Sequence, residues 1–311
     1  MNLEGKRVLV VGSGKSGVAA AELLRKKGIT FVLFDGNKDL DVTALIEKNP
    51  VFAGAEILLG ELAPEDMARI DLVVLSPGVP TDLPMVNELR NRQIPIWGEI
   101  ELAYHFAKGR IIAITGTNGK TTTTSLVGEI MANYFDDVKV VGNIGIPYTS
   151  VAADTTEDTV TVAEISSFQL ETTHEFAPEV TAILNITPDH LNRHHTMEAY
   201  IQAKKNVAIN QTAEDTCVLN YEDEVLREFG ETLQTKVLYF SSKRKLDKGI
   251  YLDDGNIIYR NPDECLVCNV KELKLLGVHN YENVMAAVAM AAAYGVPMDS
   301  IRKTIKEFAG V

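Results

Sequence analysis

The sequence is poor in cysteine and in positive charge, and it has no long unbroken apolar run. Three cysteines cannot build a disulfide framework in a chain of 311 residues, so a reducing compartment is expected. Cys265 and Cys268 form one C-x-x-C, but no second pair or nearby histidine completes a zinc site. The pair reads as small apolar residues of a β segment. Lysine and arginine number 30 against 43 aspartate and glutamate, a net charge of −13, which argues against a duplex-nucleic-acid or anionic-membrane binder. An anionic small ligand remains open, because a few backbone N–H groups and one lysine make a local positive site. The most apolar stretch, Val284 to Met298, is broken by Tyr294, Gly295 and Pro297 and is too short to span a bilayer. Lys6 and Arg7 precede only four apolar residues, Val8 to Val11, which is not a signal-peptide pattern. A cytoplasmic protein with no nucleic-acid or membrane partner is expected.

What is present is a soluble, core-forming composition, 46% hydrophobic and 23% charged, at a length that suits two domains. β-rich runs alternate with helical patterns, which predicts α/β units on largely parallel sheets. The runs are Arg7–Val11, Thr30–Phe34, Asp71–Leu75 and Pro95–Trp97, then Arg110–Ile114, Val138–Val141, Thr159–Ala163, Thr181–Asn185, Cys217–Asn220 and Val237–Phe240. Ile250–Tyr259 reads as a hairpin turning at Asp254-Gly255. Helices are predicted over Ser16–Lys27, Glu99–Phe106 and Thr121–Tyr134, from about Tyr281, and around Ile301, Ile305 and Phe308. The expected architecture is a Rossmann-like parallel-sheet domain over residues 1–98, followed by a P-loop ATPase-like α/β domain over 99–311.

Thr115-Gly116-Thr117-Asn118-Gly119-Lys120-Thr121 lies between an apolar strand and an amphipathic helix. Glycines let N–H groups turn to phosphate oxygens, and the helix N-terminus adds positive potential. Lys120 would reach the β- and γ-phosphates of ATP and Thr121 would ligate Mg²⁺, although Ile114 stands where the full motif wants glycine. Gly12-Ser13-Gly14-Lys15-Ser16-Gly17 is a second Gly-rich turn, with Asp35 at the end of the next strand, where a ribose-binding carboxylate is expected. Taken alone it suggests an NAD-dependent oxidoreductase. The second nucleotide loop weakens that reading, since such a turn recognises phosphate rather than nicotinamide. Glu164, at a strand end before Ile165-Ser166-Ser167, is placed to hold Mg²⁺ or orient water, while the serines suit helix capping. His190 beside Asp189 is a candidate metal or transition-state residue, set against the commoner structural histidine.

With these pieces in order the chain resembles the Mur ligases of bacterial peptidoglycan synthesis. Gly116 to Thr121 looks like the ATP loop of that family. Gly142-Asn143-Ile144-Gly145, Glu164 to Glu171 and Asn185 to His190 look like its successive central motifs, and His279-Asn280-Tyr281-Glu282-Asn283 like its later ATP-contact segment. The Ser-Ser-Phe-Gln-Leu-Glu run points to the D-glutamate-adding member. Asn192 departs from the usual aspartate, and Asn37 from the usual basic residue.

The resemblance implies ATP-dependent amide bond formation between UDP-N-acetylmuramoyl-L-alanine and D-glutamate through an acyl phosphate, with two Mg²⁺ ions. Gly116, Thr117, Asn118, Gly119, Lys120, Thr121 and Thr122, with His279 and Asn280, would bind ATP. Lys120, Asn143, His190 and Lys204 would be catalytic. Thr121, Glu164, His190 and a carbamylated Lys204 would hold metal; alignment on Tyr200 favours Lys204 over Lys205, against the plain alternative of a solvated lysine pair. Ser13, Lys15, Ser16 and Gly17, then Asp35, Gly36 and Asn37, then Ser76, Pro77 and Gly78 would bind the UDP portion. Asn143 and His190 would orient the muramoyl-alanine carboxylate or the intermediate, and Ser166 and Gln169 would also bind the substrate. The family's C-terminal amino-acid-binding domain is expected to be missing from this sequence. A monomeric fragment with sugar-nucleotide affinity and little or no ligase activity is therefore expected, with a non-catalytic nucleotide-binding regulator as another reading.

Overall fold

The computed structural model describes residues Met1–Val311, which form two compact units. The first comprises Met1–Lys108 with two later stretches, Ile146–Thr156 and Phe168–Phe176. The second comprises Gly109–Gly145, Glu157–Ser167 and Ala177–Val311.

In the first unit five strands are Arg7–Val11 (β1), Thr30–Asp35 (β2), Glu56–Leu59 (β3), Leu72–Leu75 (β4) and Ile96–Gly98 (β5). Helices Lys15–Lys26 (α1), Val42–Lys48 (α2), Pro64–Met67 (α3), Pro84–Asn91 (α4) and Glu99–Phe106 (α5) alternate with them. The sheet order is β3-β2-β1-β4-β5, parallel throughout. Strand order reverses between β1 and β4, where such sheets bind ligands at their carboxyl ends. The core explains the pattern: β1 and β4 are nearly continuous buried Val and Leu, because helices cover both faces of a parallel sheet. Gly17 is required where α1 meets β1, since a Cβ there would lie 1.9 Å from the Gly12 carbonyl oxygen.

The two later stretches are held by buried carboxylates on α5. Glu99 accepts from the Tyr148 N–H at 2.6 Å and, more weakly, from the Gln169 amide at 3.4 Å. Glu101 accepts from the N–H groups of His174, Glu175 and Phe176 at 2.8, 2.8 and 3.2 Å. A carboxylate out of water is tolerated only when several donors replace its hydration, and both have them.

In the second unit the elements are Arg110–Thr115 (β6), Lys120–Ala132 (α6), Val138–Gly142 (β7), Val160–Glu164 (β8), Ser167–Leu170 (α7), Val180–Ile183 (β9), Leu191–His194 (α8) and Met197–Lys205 (α9). They continue as Thr216–Asn220 (β10), Glu224–Thr232 (α10), Lys236–Ser241 (β11), Gly249–Asp253 (β12), Asn256–Arg260 (β13), Glu264–Asn269 (β14), Val278–Tyr294 (α11) and Met298–Glu307 (α12). The sheet order is β14-β13-β12-β11-β10-β9-β6-β8-β7. It is parallel from β7 to β12 and antiparallel where β13 and β14 extend it. The β12–β13 hairpin turns at Asp254 and Gly255, both at positive φ as the Asp-Gly pair predicts. Cys265 and Cys268 lie in β14 as free thiols. Leu126, Val127, Ile130 and Met131 of α6 are fully buried with the alanine-rich face of α11, each large side chain contributing about 1.5–3 kcal/mol. This packing fixes the N-termini of α6 and α11, and with them the site below. No helix is long and apolar enough to cross a membrane.

Candidate functional site

The phosphate-type loop follows β6, which lies between β8 and β9, two strands in from the β7 edge of its sheet. Gly116 and Gly119 carry φ of +150° and +85°. A Cβ on Gly119 would fall 2.2 Å from the Asn283 amide oxygen, so the loop and α11 approach closely only because the residue is glycine. The segment after β9 fixes the loop. Asn185 accepts from the Asn118 N–H at 2.8 Å and donates to the Asn118 carbonyl at 3.0 Å. Thr117 Oγ1 accepts from the Thr187 N–H at 3.0 Å and lies 2.9 Å from the hydroxyl of buried Tyr200. Thr122 sits half-buried in the first turn of α6.

Three predicted residues meet at the strand ends. The carboxylate of Glu164, 1% exposed, accepts from Thr121 Oγ1 at 2.9 Å and from the Asn143 amide at 2.7 Å. Asn143 is also tied through its N–H to the Glu164 carbonyl at 2.8 Å. A hydroxyl and a carboxylate are hard oxygen donors. Two such protein ligands suit Mg²⁺, which keeps most of its shell for water and phosphate oxygens.

Lys120 donates to the carbonyls of Gly116 and Thr117, both at 2.9 Å, and Lys204 donates to the same Gly116 carbonyl at 2.8 Å. Two ammonium groups thus share one oxygen. Burial lowers the Lys120 pKa, opposed by the charges of Glu164 and Asp189. Burial and then the Lys120 charge bring Lys204, 2% exposed, down to about 7. A cationic recess closed by its own carbonyls is built to receive anionic oxygens. His190, at φ +51° before α8, is half-exposed with Nε2 3.4 Å from the Asp189 carboxylate. Ser166, on the stretch that leaves β8, is half-buried and belongs to this unit, whereas Gln169 belongs to the first.

Beside the loop lies a cavity of about 390 Å³, lined by Asn118, Gly119, Leu184, Asn185, Thr187, Phe240, His279, Glu282 and Asn283. It has the size of a nucleotide-type site, with apolar walls and a few polar groups. His279 stands on its rim fully exposed. Asn280 turns its amide back to the Leu276 carbonyl at 2.9 Å and is not among the lining residues. Glu282 and Asn283, from the segment named with His279 but given no role of their own, line the cavity, and so does Phe240, which was not singled out.

In the first unit Gly12 and Ser76 are neighbours, since a Cβ on Gly12 would lie 2.8 Å from Ser76 Oγ. The structure therefore brings the Gly-rich turn and the Ser76-Pro77-Gly78 turn together at the strand-order reversal. Asp35 is occupied within the protein. One carboxylate oxygen accepts from Ser13 N–H at 3.0 Å and Ser13 Oγ at 2.6 Å, the other from Asn37 N–H at 3.0 Å. Burial pushes its pKa up, but these bonds outweigh it and hold the carboxyl below its usual range. Such a carboxylate shapes the turn and has little left to offer a ribose diol. Lys15 and Ser16 begin α1 from the extended Gly14 cap, with Lys15 exposed; Gly36 and Asn37 are exposed beyond β2.

Comparison with known proteins matches two segments of the chain separately. Residues 6–98 match the family model "Mur ligase MurD-like, N-terminal domain", and residues 114–291 match "Mur ligase middle domain". The UDP-N-acetylmuramoylalanine–D-glutamate ligase of Lachnoclostridium phytofermentans is 57% identical over 312 residues, covering 100% of this chain and 69% of that enzyme. The ligase of the same name from Clostridioides difficile is 45% identical over the same shares. Among solved structures, the UDP-N-acetylmuramate:L-alanyl-gamma-D-glutamyl-meso-diaminopimelate ligase of Neisseria meningitides superposes with a TM-score of 0.63 at 17% identity, covering 98% of this chain and 99% of that one. At that identity the likeness speaks for the fold, and the matched domain models and relatives speak for descent: the chain belongs to the Mur ligase family.

Proposed function

We propose that this chain is the sugar-nucleotide- and ATP-binding part of an ADP-forming ligase that adds D-glutamate to UDP-N-acetylmuramoyl-L-alanine. The observation that carries the reading is the convergence of Lys120, Thr121, Glu164, Asn143 and Lys204 on one loop, with two ammonium groups on the Gly116 carbonyl. In the reaction an oxygen of the alanine carboxylate bonds to the γ-phosphorus and the β,γ-bridging P–O bond breaks, giving an acyl phosphate and ADP. The amine of D-glutamate then bonds to the acyl carbon and phosphate leaves. Both partners of the first step are anions, so fixed positive charge must offset their repulsion before they can align.

Lys120 turns from its loop carbonyls to the β/γ-phosphates, and the loop N–H groups hold the remaining oxygens. Thr121 and Glu164 would hold one Mg²⁺, which supplies charge neutralisation on the phosphates when bound. Lys204 and His190 would belong to a second ion site. A buried amine with a pKa of about 7 is about half free base near neutrality, and its lone pair can add to CO2 with loss of one proton, leaving a carbamate. Asn143 and His190 would orient the substrate carboxylate, with Ser166 beside them. Ser13, Lys15, Ser16 and Gly17, Asp35 with Gly36 and Asn37, and Ser76 to Gly78 would form the UDP cradle, and Gln169 would add a further substrate contact. Gly116 to Thr122, His279 and Asn280 would take ATP, Asn283 adding a contact from the cavity wall. The substrates are cytoplasmic metabolites, so the protein would work there, as a monomer. D-glutamate would be held by the remaining third of the relatives' length.

Calorimetry with UDP-N-acetylmuramoyl-L-alanine, a non-hydrolysable ATP analogue with Mg²⁺, and NADH tests the reading. Binding of the first two and none of NADH is expected; selective binding of NADH would overturn it.

A further inference from the structure

One buried polar pair in the second unit has no part in the function described so far. Ser167 Oγ and His194 Nε2 lie 2.9 Å apart, with the residues 3% and 5% exposed. Ser167 comes three residues after Glu164 on the stretch that leaves β8. His194 ends α8, and its ring centroid lies 5.3 Å from that of Tyr200. Tyr200 reaches Thr117 of the phosphate loop and lies under the Lys204 ammonium, whose Nζ is 4.8 Å from the ring centroid. His194 therefore touches both limbs that lead to the anion recess, the β8 exit carrying Glu164 and the helix carrying Lys204. His190 and His195, either side of it, are exposed, so a buried histidine here is not a by-product of local composition.

We propose that His194 is a positioning residue: it holds the β8 exit through Ser167 and α9 through Tyr200, and so sets the placement of the Glu164 carboxylate relative to the Lys204 side chain. This rests on the reading of Thr121, Glu164 and Lys204 as the metal-binding set. Ligand geometry at such a site must be kept to within about 0.5 Å, which needs supporting groups whose own rotamers are fixed. A buried hydroxyl–imidazole bond does that, because it fixes the serine and histidine rotamers against each other. The imidazole is also the right charge. Burial, then Arg193 and Lys204, then His190 and His195, hold its pKa down at about 4. It thus adds no further cation beside Lys120 and Lys204.

The test is Mn²⁺ binding followed by electron paramagnetic resonance in the presence of ATP. Ser167→Ala and His194→Phe should each weaken Mn²⁺ by about tenfold or more, the range for groups that orient metal ligands. His194→Gln, whose amide nitrogen reaches toward the Ser167 hydroxyl, should recover most of the affinity. The double variant should be no weaker than His194→Phe alone, because both changes cut one tie. Ser167→Ala removes a single oxygen and keeps the test open if His194→Phe does not fold. Unchanged Mn²⁺ affinity in Ser167→Ala overturns the role of His194, as does a His194→Gln protein as weak as His194→Phe. Glu164→Gln separates the two levels: if it leaves Mn²⁺ binding intact the metal-binding set itself is wrong, and if it abolishes binding while Ser167→Ala does nothing only the positioning role falls.

Discussion

The two Gly-rich turns follow the same construction, a parallel strand feeding a helix N-terminus, yet they are finished with opposite charge. In the first unit an acidic side chain organises the turn: Asp35 takes the N–H and hydroxyl of Ser13, leaving the start of α1 and exposed Lys15 to meet an anion. In the second unit neutral groups from Asn185 and Thr187 organise the loop, and two lysines crowd one carbonyl behind it. The first cradle offers little net positive charge and suits a diphosphate that sugar and base contacts also hold. The second sets the Lys120 ammonium at the loop itself and suits a triphosphate whose terminal group must accept a nucleophilic anion. Strand–turn–helix geometry gives a phosphate site in both cases; what surrounds the turn decides whether the phosphate is only bound or also activated.

The sharpest way to break this contrast is to remove its central cation. Lys120→Ala should weaken the Mg²⁺–ATP analogue by at least about 10²-fold, the scale of losing one preorganised charge at a reacting phosphate. Affinity for the sugar nucleotide, measured in the same calorimetric series, should be unchanged. A matching loss at both ligands would mean that the two cradles are not separate.

Alanine in place of glycine separates the loops by what each glycine touches. Gly17→Ala drives a Cβ to 1.9 Å from the backbone oxygen of Gly12, which cannot move without distorting β1. A loss of about 3 kcal/mol is expected, confined to the first unit. Gly119→Ala meets the side-chain amide of Asn283, which can rotate, so most of its cost is the positive φ, about 1–2 kcal/mol. Urea unfolding with one spectroscopic probe per unit reads both. Equal losses would show that the Asn283 contact is as rigid as a main-chain one.

Both turns were legible in the sequence because their parts are neighbours along the chain. The strand, the glycines and the helix of residues 110–132 are read in a single window, as is the Asp254-Gly255 hairpin. What decides their chemistry was not legible, because it is brought from elsewhere by the sheet order. Asn185 lies just past the end of β9, the strand beside β6, yet nothing in its neighbours announces that its amide pairs with Asn118. Asp35 lies at the right separation for a ribose carboxylate, and only the folded structure shows both oxygens engaged. Strand β3 was missed because Glu56–Leu59 is half-buried throughout and shows no alternation. Glu99 and Glu101, two acids early in an exposed-looking helix, gave no hint of holding the 146–156 and 168–176 stretches.

The charge of the second cradle can be read without a ligand. Lys204 titrates at about 7 when folded and at 10.5 when free, so between those values the unfolded chain carries one more proton. Stability from this group therefore rises with pH across that window, by up to about 1.4 kcal/mol per unit, and is flat below it. In CO2-free buffer the unfolding free energy of wild type relative to Lys204→Met should grow by about 1–2 kcal/mol from pH 7 to pH 9. A constant difference would mean that the amine keeps its ordinary pKa and stays protonated across the window.

The smallest effect is expected at Asp35, and it sharpens the contrast from the other side. Asp35→Asn keeps the shape and one acceptor but sets an NH2 group against a donor, for a loss of about 1 kcal/mol because the carboxyl is partly open to solvent. Its folded pKa lies below its free value, so the wild-type advantage is complete above the unfolded pKa and disappears as pH falls through the folded one. The stability curves of wild type and Asp35→Asn should run parallel near neutrality and converge in acid. The sugar nucleotide should bind a few-fold more weakly and the ATP analogue as before. If the acid were instead held for a ribose diol, the substitution would cost little stability and most of the nucleotide affinity, so the ratio of the two losses decides which work Asp35 does.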